Sequence, residues 1–162
     1  MQELEPRKVW EYFERISAVP RPSGSEEAIA KYVVSVGREH GLETATDKVG
    51  NVVIRVPATP GREGAPITVL QGHLDMVCEK HSHVEHDFTK DPLKLRVEGN
   101  LVKATDTTLG ADNGIGVAMA LALLDDPSRA HGPLELLFTL DEERGLNGAL
   151  GLKADFVRGR RM

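Results

Sequence analysis

The sequence predicts an α/β fold: a mixed, mainly parallel sheet flanked by helices. Two observations point there. Helix-period and strand-like apolar segments alternate along the chain, and clusters of Gly, Pro, Ser and Asn punctuate them. A third sets the scale. The chain has 162 residues, enough for one domain and one sizeable core, and its 40% hydrophobic and 28% charged residues are those of an ordinary globular protein.

Taken in order, Val9, Phe13 and Ile16 fall at helical spacing before the turn-rich Pro20–Ser25, which predicts a short amphipathic helix over Val9–Ile16. Ser23 followed three residues later by Glu26 reads as a capping box, and Ile29, Tyr32, Val33 and Val36 then form one apolar stripe ending near Gly41. That is a second helix. Val52–Val56 is a β-branched run after a Gly50-Asn51 turn, and Ile67–Gln71 is a short apolar run of the buried-sheet type; the proline-rich loop Pro57–Pro66 separates them. Leu93, Leu95 and Val97 alternate with polar residues, Glu98-Gly99-Asn100 supplies a turn, and Leu101-Val102-Lys103 continues beyond it, which predicts a hairpin. Asn113–Leu124 is small or apolar on nearly every side, with Pro127 as a stop, and reads as an enclosed helix. Leu134–Leu140 closes the series as a buried strand.

Composition excludes several functions. A formal net charge of -5 and a pI near 5.7 provide no basic field for nucleic acid. The longest apolar stretch, Ile115–Leu124, is about half of what crosses a bilayer. Cys78, the single cysteine, cannot form an internal disulfide, and the acidic N-terminus lacks a basic-then-apolar signal pattern, so a cytoplasmic home is expected.

Chemistry collects at three places. His73-Leu74-Asp75 follows one predicted strand, Asp112-Asn113 opens the enclosed helix, and Asp141-Glu142-Glu143 follows another strand. In α/β sheets the carboxyl ends of strands and the adjoining helix starts share a crevice, so these clusters are expected to converge. One imidazole and up to five carboxylates in a small volume call for a cation, and imidazole with carboxylates suits Zn²⁺, with Mn²⁺ or Co²⁺ as substitutes. Asp75, two residues from His73, is placed to accept from the ring nitrogen that does not bind metal. Glu142 and Glu143 are expected to diverge along an extended chain, one towards metal and the other towards a water. Blander readings exist for each: a buried histidine bonded to a loop acid, an acid at a helix start, a solvated acidic turn. His81, His83 and His86 lie in a charged stretch and read as a solvated loop. Gly110, Gly114 and Gly116 match neither nucleotide-binding glycine pattern, and Cys78 reads as a small core residue.

The strings Gln71-Gly72-His73-Leu74-Asp75-Met76-Val77-Cys78, Thr107-Thr108-Leu109-Gly110-Ala111-Asp112-Asn113-Gly114-Ile115-Gly116 and Phe138-Thr139-Leu140-Asp141-Glu142-Glu143-Arg144-Gly145 resemble the bacterial aminoacyl-histidine dipeptidases, also called Xaa-His dipeptidases or peptidase D. His86-Asp87-Phe88-Thr89-Lys90-Asp91-Pro92 is similar to the same family, and order and spacing agree over essentially the whole chain. The resemblance implies a metallopeptidase hydrolysing dipeptides with two zinc ions. His73 matches the ligand of one metal, Asp112 the bridging ligand and Glu143 the ligand of the second. Asp75 matches the residue that clamps the imidazole, and Glu142 the general base. A peptide is the implied partner, and a homodimeric complete enzyme is compatible with the resemblance.

The family's remaining ligands, an acidic residue shortly after the Glu-Glu pair and a histidine far downstream, have no counterpart before Met162, nor has its lid domain. The expectation is therefore an N-terminal portion of a metallopeptidase catalytic domain, residues 1–162, truncated at its C-terminus and weakly active or inactive alone. A tripeptidase, an N-acyl amino acid deacylase or a non-catalytic metal-binding fragment are the alternatives.

Overall fold

The computed structural model describes Met1, residues 3–126 and residues 128–162. Pro127, the expected helix stop, lies outside the described residues. The elements run α1 (Arg7–Ser17), α2 (Glu27–Glu39), β1 (Glu43–Thr46), β2 (Val52–Val56), β3 (Thr68–His73), β4 (Leu95–Glu98), β5 (Leu101–Ala104), α3 (Ala111–Ala122) followed by a 3₁₀ turn, β6 (Leu134–Thr139) and the short α4 (Asn147–Leu150).

Four strands form one sheet in the order β1-β2-β6-β3, while β4 and β5 pair as a separate antiparallel hairpin. The mixed α/β class is as expected, but the sheet is less parallel than the sequence suggested. Of the three strand pairs in this sheet β3–β6 is parallel, and β1–β2 and β2–β6 are antiparallel. The cause is local. A tight turn returns β1 onto β2, with the Asp47 carboxylate accepting from the backbone N–H groups of Val49, Gly50 and Asn51, so no crossover intervenes.

The core forms on one face of the sheet. Val52, Ile54, Leu136 and Phe138 are buried together with Phe13 and Ile16 of α1, Ile29 and Val33 of α2, and Val117 and Leu121 of α3. Along each strand the alternate residues Val53, Leu137 and Val69 are buried outside that cluster. There the segment after α4 lies against the sheet: Arg55 donates to the Phe156 carbonyl, the Glu135 carboxylate accepts from Arg158 N and Gly159 N, and Val69 N donates to the Arg161 carbonyl.

α3 is less enclosed than its composition suggested. It packs on α1 and β3, while Met119 on its outer side is 57% exposed. Its first turn is irregular. Asp112 and Asn113 have non-helical backbone angles, so the regular helix begins at Gly114. Gly114 is where α1 and Arg21 approach closely, since a Cβ there would stand 3.1 Å from the Phe13 ring and 2.7 Å from the Arg21 guanidinium.

What positions the site is the parallel pair. His73 pairs with Thr139 in register, so β3 and β6 deliver their following loops, 74–76 and 140–147, on the same side of the sheet. The start of α3 reaches the same edge because α3 packs along β3.

Candidate metal centre

His73 is the last residue of β3 rather than part of the loop after it, and its ring is nearly buried. Nδ1 lies 3.2 Å from the Asp75 carbonyl and 3.3 Å from Asp75 Oδ1, and Nε2 lies 3.0 Å from Asp112 Oδ1 and 3.8 Å from Glu142 Oε2. Both ring nitrogens therefore face acceptors, and only a positively charged centre satisfies both. Burial opposes charging the imidazole, but hydrogen bonds to Asp75 and Asp112 and the charges of Asp75 and Glu142 outweigh it and push the pKa up to about 9.

Asp75 is fully buried. Burial works against its ionisation, yet hydrogen bonds from His73, from the Ser23 hydroxyl and from the backbone of Glu142 and Glu143 hold it well below the usual carboxylate range. Burial raises the Glu143 carboxyl; His73 opposes the shift, and the charges of Glu142, Asp112 and Asp75 add to it. The pattern is that of a site short of positive charge, with a proton standing on His73 where a cation would suit the donors.

The side chains of His73, Asp112 and Glu143 bring one ligand atom each within 4.8 Å of one another, a group that could hold a metal ion. Imidazole nitrogen and carboxylate oxygen are the donor set of catalytic rather than structural zinc sites, so the residues present fit a divalent metal. The Asp112 side chain is 81% exposed, which leaves the group open to solvent on one side. The peptide between Asp112 and Asn113 is cis.

Three sequence expectations change here. Glu142 and Glu143 do not diverge: both face His73, because residues 140–146 form a turn rather than an extended chain. Asp141, counted with the cluster, turns away and accepts from Arg144 and Asn147. The Ser23–Glu26 capping box does not form. Helix α2 has no side-chain cap; the Ser23 hydroxyl donates to Asp75 Oδ2 at 2.7 Å, and Glu26 Oε1 accepts from Asp141 N at 2.9 Å.

The sequence reading also missed Arg21. Its guanidinium, almost wholly buried, donates to the carbonyls of Leu74 and Asp75 at 3.1 Å and of Gly110 at 2.5 Å, tying the loop after His73 to the loop before Asp112. Burial pulls this guanidinium down to about 10, with Cys78 and Asp75 opposing, so it stays charged at neutral pH. Gly110 takes a left-handed backbone, φ 64°, and a side chain there would collide with Arg21. Nothing in a lone arginine within a proline-rich turn signals this role.

A groove of about 1270 Å³ runs between α2 and the turn at Val49-Gly50 and reaches Glu26 and Asp141 without including His73, Asp112 or Glu143. Among the described residues, no helix is long and apolar enough to cross a membrane.

Comparison with known proteins agrees with the resemblance drawn from the three strings. No family model matches the chain. It is 48% identical to the cytosol non-specific dipeptidase of Escherichia coli over 158 residues, 98% of this chain and 33% of that one. The crystal structure of aminoacylhistidine dipeptidase from Vibrio alginolyticus superposes with a TM-score of 0.95 at 47% identity, covering 98% of this chain and 32% of the other. A tripeptidase from Staphylococcus aureus shares the fold, with a TM-score of 0.79 at 21% identity over 96% of this chain and 42% of that one. The chain thus spans about a third of the length of the dipeptidases it matches.

Proposed function

We propose that this chain, which shares sequence and fold with a third of a dipeptidase, forms the metal-binding part of the catalytic domain of a cytoplasmic metallopeptidase that hydrolyses dipeptides of the Xaa-His type. The observation that carries the reading is the convergence of His73, Asp112 and Glu143 within 4.8 Å, with Glu142 beside them. His73, Asp112 and Glu143 hold the metal, zinc in the first instance and manganese or cobalt as substitutes. When bound, a pair of such ions acidifies water and polarises a scissile carbonyl.

The chain's own residues do the rest. Asp75 keeps the proton on His73 Nδ1, which fixes the tautomer and leaves Nε2 as the ligand atom. Glu142, about one-third exposed, takes the proton of the attacking water and passes it to the leaving amine. Arg21 holds the two ligand loops at a fixed separation through three carbonyls.

The test is hydrolysis of Xaa-His and other dipeptides, tripeptides and N-acyl amino acids with added Zn²⁺ or Mn²⁺, for this chain and for one extended to the length of the dipeptidases. Turnover of dipeptides by the extended chain, lost on chelation, is expected. An extended chain that is folded and metal-loaded yet hydrolyses no dipeptide would overturn the reading; preference for tripeptides or N-acyl substrates would move it to the neighbouring activity.

A further inference from the structure

We propose that Glu26, assisted by Ser23, is a positioning residue that sets the direction of Glu142 and Glu143, a role that rests on the peptidase reading of the site. Three successive backbone N–H groups are each held by one of two buried carboxylates. Asp141 N donates to Glu26 Oε1 at 2.9 Å, Glu142 N to Asp75 Oδ1 at 3.0 Å, and Glu143 N to Asp75 Oδ2 at 3.1 Å. Asp141 sits at φ 53°, a left-handed conformation that aspartate adopts more readily than most non-glycine residues, and the amides from Asp141 to Glu143 are held in that turn by the two carboxylates. Glu26 holds the turn from one side and Asp75 from the other.

Glu26 is itself fixed. It is 5% exposed, and the same Oε1 accepts from Gly24 N at 2.9 Å. Ser23 anchors the second carboxylate through its 2.7 Å bond to Asp75. Arg144, bonded to Asp141, lies over Gly24 so closely that a Cβ there would collide with its guanidinium. Oxygens of Glu26, Asp75 and Asp141 come within 4.8 Å of one another, but each carboxylate already accepts from N–H or O–H donors, so the group acts as a clamp rather than a ligand set. Without Glu26, Asp141 N loses its acceptor and one of the three amide anchors of the turn is gone, which loosens the direction in which Glu142 and Glu143 are presented.

The distinguishing feature is that an acceptor oxygen is needed and a charge is not. Glu26→Gln keeps the acceptor and Glu26→Ala removes it. In the chain extended to the length of the dipeptidases, Glu26→Ala is expected to lower kcat for a dipeptide about 100-fold with KM changed less than threefold, and Glu26→Gln to stay within about threefold of the parent. Ser23→Ala, a milder change, should lower kcat about tenfold. In the present chain, hydrogen exchange at the amides of Asp141, Glu142 and Glu143 should accelerate at least tenfold in Glu26→Ala and return in Glu26→Gln, with the core strand β2 unchanged. If the extended parent has no peptidase activity, the functional reading fails and the exchange measurement still decides whether the clamp exists. Unchanged kcat and exchange in Glu26→Ala, or a Gln variant as impaired as the Ala one, would overturn the positioning role.

Discussion

His73 and His40 are each held by acceptors at both ring nitrogens, and the consequences differ with what surrounds them. At His73 the acceptors on the Nε2 side are Asp112 and Glu142, carboxylates open to solvent and to a ligand. Glu142 differs from Asp112 and Glu143 in standing outside the group of three that shares the 4.8 Å sphere. Glu142→Gln in the extended chain should therefore reduce turnover by at least about 10²-fold, as expected for loss of a general base, while bound zinc measured by atomic absorption stays near the parent's. Loss of metal would make Glu142 a ligand instead. His40 offers a pH test away from that site. Its Nδ1 lies 2.9 Å from the Val36 carbonyl and its Nε2 2.9 Å from Asp125, which also meets Lys8 at 3.4 Å. The bond to the Val36 carbonyl raises the His40 pKa first, burial opposes, and Asp125 and Glu39 add to the rise. A folded pKa above the unfolded one means a contribution fully present below about pH 6.5 and lost as pH rises through the folded value. Asp125, lowered in the fold, adds the opposite limit, its contribution fading as pH falls through the acid range. The parent should thus exceed His40→Gln by about 1 kcal/mol or less, roughly 2–4 °C in Tm, between pH 5 and 6, with the gap narrowing as pH rises through the raised folded value. A gap that widens with pH would refute the assignment.

Among the elements, β6 carries most of the organisation, because it pairs with β2 on one side and β3 on the other. Its Glu135 is almost fully buried on the face away from the helices, where Oε1 accepts from Arg55 Nε at 3.1 Å and Oε2 from the amides of Arg158 and Gly159 at 2.8 Å. Removing that carboxylate leaves Arg55 Nε and two amide donors without an acceptor, while the rest of the guanidinium keeps Glu43 and the Phe156 carbonyl. Glu135→Ala should cost about 3–5 kcal/mol in urea unfolding and speed tryptic cleavage at Arg158 and Arg160. The double variant Arg55→Met, Glu135→Leu should recover much of the stability but not the protection, since the segment has still lost its acceptor. Elements such as β2, α2 and the β4–β5 hairpin were legible because their apolar residues repeat at the period of the structure they adopt. β1 was not, because Glu43-Thr44-Ala45-Thr46 is an edge strand with no buried side chain to mark it. Strand direction was not legible either, since nothing in an apolar run says which neighbour it will take. The convergence of His73, Asp112 and Glu143 could be read because chemistry restricts the types of residue that gather at such strand ends. Glu26 and Ser23 could not, because a serine followed three residues later by glutamate has a commoner use at helix starts, and only the register of β3 against β6 brings Asp75 and Asp141 within their reach.

At the scale of the molecule the sheet and helices hold a group of acids and one imidazole together, and the price is electrostatic. Asp75, Asp112, Glu142 and Glu143 all contribute to the potential at His73 or at one another, and Glu143 answers with a raised pKa. A divalent cation that binds the folded chain and not the unfolded one relieves this repulsion and stabilises by mass action, about 2.7 kcal/mol at a free concentration one hundred times Kd. For a domain of this size that corresponds to a rise in Tm of roughly 5–10 °C with Zn²⁺ or Mn²⁺, reversed by a chelator. His73→Ala and Asp112→Asn should each abolish most of the rise, whereas Asp126→Asn, a half-exposed acid bonded to Ser128 and Arg129, should leave it intact. Equal metal-induced shifts in all three variants would mean that the ions act on the acidic surface at large and that the convergence of β3, α3 and β6 builds no metal centre. A chain spanning a third of its dipeptidase relatives supplies three candidate ligands, so the extended chain should reach the same rise at a lower metal concentration, because added ligands tighten a site whose first donors are already in place.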